Sequence, residues 1–237
     1  MTAQPGSSSI EQPDYWWYRA RADLLRAALG DFATTTARVL DVGSADGPSV
    51  PWLKGDRHVT VDLDPRGLRP GEGVCASALA LPFRDGSFDL VSAFDVVEHC
   101  EPESVALAEL GRVFAPGGRL LLSVPAYQWA WSDHDVRAGH HRRYTRPRLV
   151  DAVERAGFVV RRASYGFAGV FPIFAAERIA RRVRRPAESN SLPEPSAAVE
   201  KVLLALSRAE ARFLKGHDAP FGSSVFLAAD KRVQTSV

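Results

Sequence analysis

Four short apolar runs, each handing over to an acid or a small residue, constrain this chain more than any other feature. They are RVLDVG (Arg38–Gly43), HVTVDLD (His58–Asp64), FDLVSAFD (Phe88–Asp95) and GRLLLSVPA (Gly118–Ala126). The turn signal Pro116-Gly117-Gly118 announces the last of them. Runs of this length, rich in Val, Leu and Phe, read as strands buried on both faces. Helical patterns separate them, most clearly PESVALAELGRVF (Pro102–Phe114). Strands alternating with helices imply parallel strands joined by right-handed crossovers, a doubly wound α/β sheet.

The flanks extend the same plan. YWWYRARADLLRAAL (Tyr15–Leu29) has good helix formers and an apolar stripe through Leu24, Leu25 and Ala28, with Gly30 as its stop. TRPRLVDAVERAGF (Thr145–Phe158) is a helix with Thr145 as N-cap and Gly157 as its end. VVRRASY (Val159–Tyr165) and SSVFLAADK (Ser223–Lys231) are further strands. Between them Gly166–Gly222 holds two helical patterns, GVFPIFAAERIARRVRR and SAAVEKVLLALSRAEARFL, joined by the linker Pro186–Ser196. The expected organisation is a disordered leader over 1–14, an α/β domain over 15–165 and 223–237, and a helical insertion over 166–222. The insertion can act as a lid, a dimer contact or a membrane-surface element.

A chain of 237 residues, 46% hydrophobic and 24% charged, is an ordinary soluble globular protein. Its net charge of +2 is too small to imply a nucleic-acid partner. No apolar stretch approaches the ~20 residues needed to span a bilayer. The polar start MTAQPGSSSIEQPD lacks the build of a signal peptide, so a cytoplasmic location is expected. Cys75 and Cys100 match no disulfide or zinc spacing and are expected to be reduced, buried thiols.

Open parallel sheets bind ligands in the crevice at the carboxyl ends of their strands. After the first strand comes LDVGSADGPS (Leu40–Ser49), where Gly43 and Gly47 let the backbone turn sharply and a ligand approach closely. Asp41 and Asp46 beside that turn are badly placed for a pyrophosphate, which needs bare N–H groups and positive potential. They suit a ligand that carries an ammonium and a sulfonium. After the second strand, Asp62 can accept hydrogen bonds from both hydroxyls of a ribose, with Asp64 two residues on.

Taken together, ARVLDVGSADG, VTVDLDP, ALPFRDGSFDLVSAFDVVEH and the proline-glycine-glycine strand start resemble the class I S-adenosylmethionine-dependent methyltransferases, in the subgroup acting mostly on small molecules. The resemblance is strong from Ala37 to about Ala126 and looser to Phe158. It implies a mostly parallel seven-stranded sheet of Rossmann-like type, with the helical insertion before the last strand, and S-adenosyl-L-methionine as cofactor. By position, Asp41, Gly43, Ser44, Ala45 and Gly47 would surround the methionine moiety and Asp62 the ribose. Leu63 would pack on the adenine, with Ser77, Ala78 and Leu79 at its amino edge. Phe94, Asp95 and Val96 would line the open side of the cofactor. Ser77 stands where the family commonly has an acid, and Ala45 where it usually has a glycine. His99, in VVEHC, falls near the site in the family and is there more often structural than catalytic.

AYQWAWSDHDVRAGHHRRYT (Ala126–Thr145) comes after the fourth strand and looks like the substrate lid of such enzymes. A hydroxyl acceptor needs a base, and His134, His140 and His141 are the candidates. A metal bound by Asp133, His134, Asp135 and His140 is a weaker reading, and no metal is expected. Arg142 and Arg143 can clamp an anionic acceptor or stay solvated. Tyr15, Trp16, Trp17 and Tyr18 both cover the sheet edge and close over the cofactor, with Arg19 or Arg21 near its carboxylate. In the insertion, an apolar start (Phe167–Phe174) leads into Arg178–Arg185. It can rest on a membrane or a lipid-linked acceptor, or pack against its own domain or a second copy.

The expected function is therefore methyl transfer to a small molecule, most simply to a sugar or secondary-metabolite hydroxyl. Two alternatives stay open. An NAD(P)-dependent oxidoreductase would need G-x-G-x-x-G, where this chain has G-S-A-D-G. A non-catalytic S-adenosylmethionine-binding protein would tolerate Ser77 and Ala45. The absence of an Asn/Asp-Pro-Pro-aromatic motif after the third strand argues against a nucleobase or glutamine amino group as acceptor, and the absence of a Pro-Cys pair argues against cytosine-C5 chemistry.

Overall fold

The apolar runs assemble into one seven-stranded sheet in the order β3-β2-β1-β4-β5-β7-β6. A computed structural model describes residues 14–33, 38–44, 51–53, 55–68, 73–184 and 195–232. The strands are β1 (Arg38–Val42), β2 (Arg57–Asp62), β3 (Gly73–Cys75), β4 (Phe88–Phe94), β5 (Phe114–Pro125), β6 (Phe158–Gly166) and β7 (Ser224–Lys231). The helices are α1 (Trp16–Leu29), α2 (Glu103–Val113), α3 (Asp133–Arg137), α4 (Arg146–Arg155), α5 (Phe171–Arg184) and α6 (Ala197–Leu214). β1, β2, β3, β4 and β5 pair in parallel, while β7 runs antiparallel to both β5 and β6. The carboxyl ends of β1, β2, β4, β5 and β6 therefore share one edge, and strand order reverses between β1 and β4.

Helices pack on the sheet and close its core. Leu24, Leu25, Ala28 and Leu29 of α1, and Ala106, Leu107, Leu110 and Val113 of α2, are buried with Val39, Leu40, Leu90, Val91 and Leu120–Leu122 of the strands. Each fully buried leucine contributes about 1.5–3 kcal/mol. Because both faces of these strands are covered, they read as unbroken apolar runs rather than alternating ones. Thr145 caps α4 by accepting from the Arg148 N–H, and Gly157 (φ 89°) comes after it in the left-handed region.

Several details differ from the sequence reading. β3 is a strand that its three residues hide. The edge position of Gly73–Cys75, paired only with β2, needs no long apolar run. Of the connections within β1–β5, only β4–β5 carries an α-helix among the described residues, while β2–β3 holds a single 3-10 turn at Pro65–Gly67; the β5–β6 connection carries α3 and α4. Gly30 does not take the left-handed stop. With φ −57° it stays right-handed, and the chain tightens into a 3-10 turn over Gly30–Phe32. Cys100 is buried, but Cys75 is exposed because it ends the edge strand. The leader residues 1–13 and the interhelical residues 185–194 lie outside the described residues.

α5 and α6 fall between β6 and β7 in the chain. α6 packs along α1, with Arg19 Nη1 3.1 Å from Glu200 Oε1. Arg162 of β6 reinforces that layer by donating to the carbonyls of Ala28, Leu214 and His217. Among the described residues no helix is long and apolar enough to cross a membrane.

Candidate active site

The first turn of the shared carboxyl edge comes directly after β1. Asp41 is fully buried there and accepts a hydrogen bond from Ser92 Oγ at 2.5 Å. Gly43 has φ 74°, and a Cβ at that position would come within 2.3 Å of Val96 Cγ2, so only glycine fits. Its N–H and that of Ser44 donate to the Val61 carbonyl, which ties the turn to β2. Ser44 is buried, and its hydroxyl has no hydrogen-bond partner among the described residues. Ala45, Asp46 and Gly47 lie outside the described residues.

At the end of β2, Asp62 is partly exposed and accepts from the Asp64 N–H at 2.8 Å. Asp64 turns away to Arg66, whose hydrogen bonds hold its carboxyl below the usual range. Leu63 is 70% exposed, an uncovered apolar side chain beside a carboxylate. Ser77, Ala78 and Leu79 form a tight turn in which Ser77 Oγ accepts from the Leu79 N–H at 3.1 Å. Glu109 and Arg112 of α2 brace this segment: Glu109 accepts from the Leu81 N–H, and Arg112 donates to the carbonyls of Leu81 and Phe83.

Backbone strain marks the same edge. The non-glycine residues with positive φ among those described are Asp95 (56°), Tyr127 (61°) and Phe167 (63°). They stand directly after β4, β5 and β6 or within two residues of them. Such conformations persist only where the surroundings enforce them, and they cluster at functional sites. Asp95 is held by Ser123, whose hydroxyl donates to Oδ1 at 3.1 Å, and by an ion pair with Arg21. Arg21 lies over the rings of Trp17 and Phe94, so α1 does reach across the edge, whereas Arg19 pairs with α6 instead. Trp17 stacks on Phe167 with ring centroids 5.5 Å apart. Tyr127 stacks on Trp129 and Tyr165 and meets Phe171 at a tilt, which makes an aromatic wall at the end of β5. Burial and its hydrogen bond with Tyr165 push the Tyr127 phenol up to about 12, so it stays neutral.

The segment after β5 is anchored rather than loose. Tyr127 and Tyr144 exchange backbone contacts with each other and with the end of β5, and the Tyr144 hydroxyl donates to Glu103. Arg143 binds Asp135 in two places, Nε to Oδ1 at 2.7 Å and Nη2 to Oδ2 at 3.0 Å. Arg142 pairs with Glu101 and donates to the Cys100 carbonyl. Neither guanidinium stands as a free anion clamp.

The three candidate histidines fare differently. His134 and His141 are exposed, while His140 is half-buried with Nδ1 2.8 Å from Asp135 Oδ1. Burial alone would raise the Asp135 carboxyl, but the hydrogen bonds of His140 and Arg143 overcome it and hold the group well below the carboxylate range. The sequence reading did not single out Glu98. Its carboxyl is fully buried, and burial together with the nearby Asp95 charge drives it well above the usual range. The string VVEHC gives no sign of this, because glutamate is rarely buried without a partner.

Residues 40–122 match the methyltransferase domain family. An uncharacterized methyltransferase of Mycolicibacterium gilvum is 34% identical over 142 residues, covering 52% of this chain and 55% of that protein. Demethylmenaquinone methyltransferase of Beutenbergia cavernae is 34% identical over 119 residues, covering 46% and 47%. The chain thus spans about half the length of the curated relatives it matches. A solved S-adenosylmethionine-dependent methyltransferase of Thermotoga maritima superposes with a TM-score of 0.59 at 16% identity, over 94% of this chain and 96% of that one.

Proposed function

We propose that the chain is a class I S-adenosylmethionine-dependent methyltransferase, a reading supported by the match of residues 40–122 to the methyltransferase domain family, and that it transfers a methyl group to a hydroxyl of a small molecule, such as a sugar or a secondary metabolite. The observation that supports this most is the placement of Asp41 with Ser44, Asp62 with Leu63, and Asp95 at the ends of three adjacent parallel strands. The donor set fits the cofactor. The buried Ser44 hydroxyl, without a partner among the described residues, can bond its amino-acid end, the Asp62 carboxylate its ribose hydroxyls, and the exposed Leu63 its adenine face.

S-adenosylmethionine held there would supply an electrophilic methyl, the acceptor bonding in line to that carbon as its bond to sulfur breaks and the neutral thioether leaves. What the chain must add is position and water exclusion, which supply much of the rate. Tyr127, Trp129, Tyr165 and Phe171 form the wall for an acceptor with an apolar or aromatic body. The acceptor proton leaves toward the half-buried His140, which Asp135 orients through Nδ1. Incubating the full chain with S-adenosylmethionine and a panel of sugar, polyketide and quinone acceptors tests the reading. A product with one added methyl on oxygen is expected, and transfer only to carbon or nitrogen would overturn the hydroxyl assignment.

A further inference from the structure

We propose that Glu98, His99 and His140 bind one divalent transition-metal ion of the zinc class, departing from the metal-free site expected from sequence. The three side chains come from the turn after β4 and from the segment after α3, and each offers a ligand atom within 4.8 Å of the other two. Ligands about 2.1 Å from a tetrahedral ion lie roughly 3.4 Å apart, so a small rotamer adjustment closes the set.

Each residue is prepared for the task. The Glu98 carboxyl is fully buried, and neither of its oxygens has a hydrogen-bond partner among the described residues. A carboxylate in that position lacks the compensation that buried charges require, and a cation between it and the histidines supplies it. The nearest arginines are committed elsewhere, Arg21 to Asp95 and Arg143 to Asp135. His140 bonds Asp135 through Nδ1, which leaves Nε2 as its ligand atom. Asp135 is itself fixed by Arg143 and by the Ser132 N–H at 2.8 Å. This carboxylate–histidine arrangement is the outer-sphere support that metal-binding imidazoles ordinarily have. The rings of His99 and His140 stand 4.5 Å apart and nearly perpendicular. His99 is exposed, which gives an ion a way in.

Two imidazoles and one carboxylate select zinc-like ions over magnesium or calcium and leave at least one coordination position open. An acceptor oxygen in that position would rest on the methyl-transfer reading, and His140 would then act as a ligand rather than as the base. The binding of the ion does not rest on it.

The test is calorimetric titration of the full, chelator-stripped chain with Zn2+, repeated with Co2+ so that its visible absorption reports the coordination. One ion per chain is expected, with visible bands of a site of low coordination number and a raised melting temperature. Glu98→Gln and His140→Ala should each weaken binding at least about tenfold, the lower end of what even loss of an outer-sphere partner costs. His217→Ala, at an exposed histidine just past the end of α6, should bind like the parent. Circular dichroism confirms that each variant is folded. No stoichiometric binding, or equal binding by all variants, would overturn the proposal. S-adenosylmethionine titrated into the same stripped protein separates the two ideas: cofactor binding without metal binding defeats the ion alone, and the reverse defeats the methyltransferase reading.

Discussion

Arg21 Nε lies 2.7 Å from Asp95 Oδ2, so the first helix is pinned to the carboxyl end of β4, at a residue whose backbone is already in the left-handed region. Both side chains are mostly withdrawn from solvent, 12% and 25% exposed. Arg21→Ala should therefore lower the urea midpoint, because it leaves the largely withdrawn Asp95 carboxylate without its ion-pair partner. Asp95→Asn should cost less, because asparagine tolerates positive φ and keeps an acceptor. Equal stability of Arg21→Ala and the parent would mean that α1 does not close this edge.

The turn after β1 gives a steric prediction. Gly43→Ala meets both an unfavourable φ and the Val96 side chain. Together these should cost about 2–4 kcal/mol. Adding Val96→Ala should recover the steric part and leave the backbone part. Thermal unfolding of the two variants decides between them, and a double variant no better than Gly43→Ala would show that the contact with Val96 carries no energy.

A third prediction concerns acid. The hydrogen bond of Arg112 holds the Glu109 carboxyl below its ordinary value, despite the partial burial that opposes it. A depressed folded pKa means that the contribution is fully present above the unfolded pKa and is lost as pH falls through the folded one. Glu109→Gln should thus lower stability near neutrality and remove part of the acid dependence. The effect is small because the pair is partly solvated. Urea midpoints of parent and variant should converge at low pH; a gap that stays constant would contradict the assignment.

How much of this was legible in the sequence depends on where each residue's partners lie. β1, β4 and β5 were readable because both faces are largely buried along apolar runs, and β2, only partly buried, through the β-branched stretch Val59–Val61. β3 was not, since three edge residues make no pattern. Asp62 was legible as the residue ending the second strand, and the structure has it at the end of β2 with Leu63 directly after it, on the edge where open sheets bind ligands. Asp95 was placed, but its pairing with Arg21, 74 positions earlier, depends on tertiary approach. From sequence Arg143 could clamp an anion or stay solvated, yet it commits its charge to Asp135 within its own segment. The burial of Glu98 was hidden for the same reason as the Asp95 pairing, as its histidine neighbour His140 arrives from 42 residues downstream.

The central claim is that the acids at the ends of β1 and β2 cradle S-adenosylmethionine. Calorimetric titration of the full chain with S-adenosylmethionine, set beside NAD, tests it most directly. One-to-one binding of S-adenosylmethionine and none of NAD is predicted. Asp62→Ala should weaken that binding by about 1–3 kcal/mol, and Asp62→Asn by less, since it still accepts from Asp64. An Asp62→Ala variant that binds like the parent, or a parent that binds NAD and not S-adenosylmethionine, would contradict it.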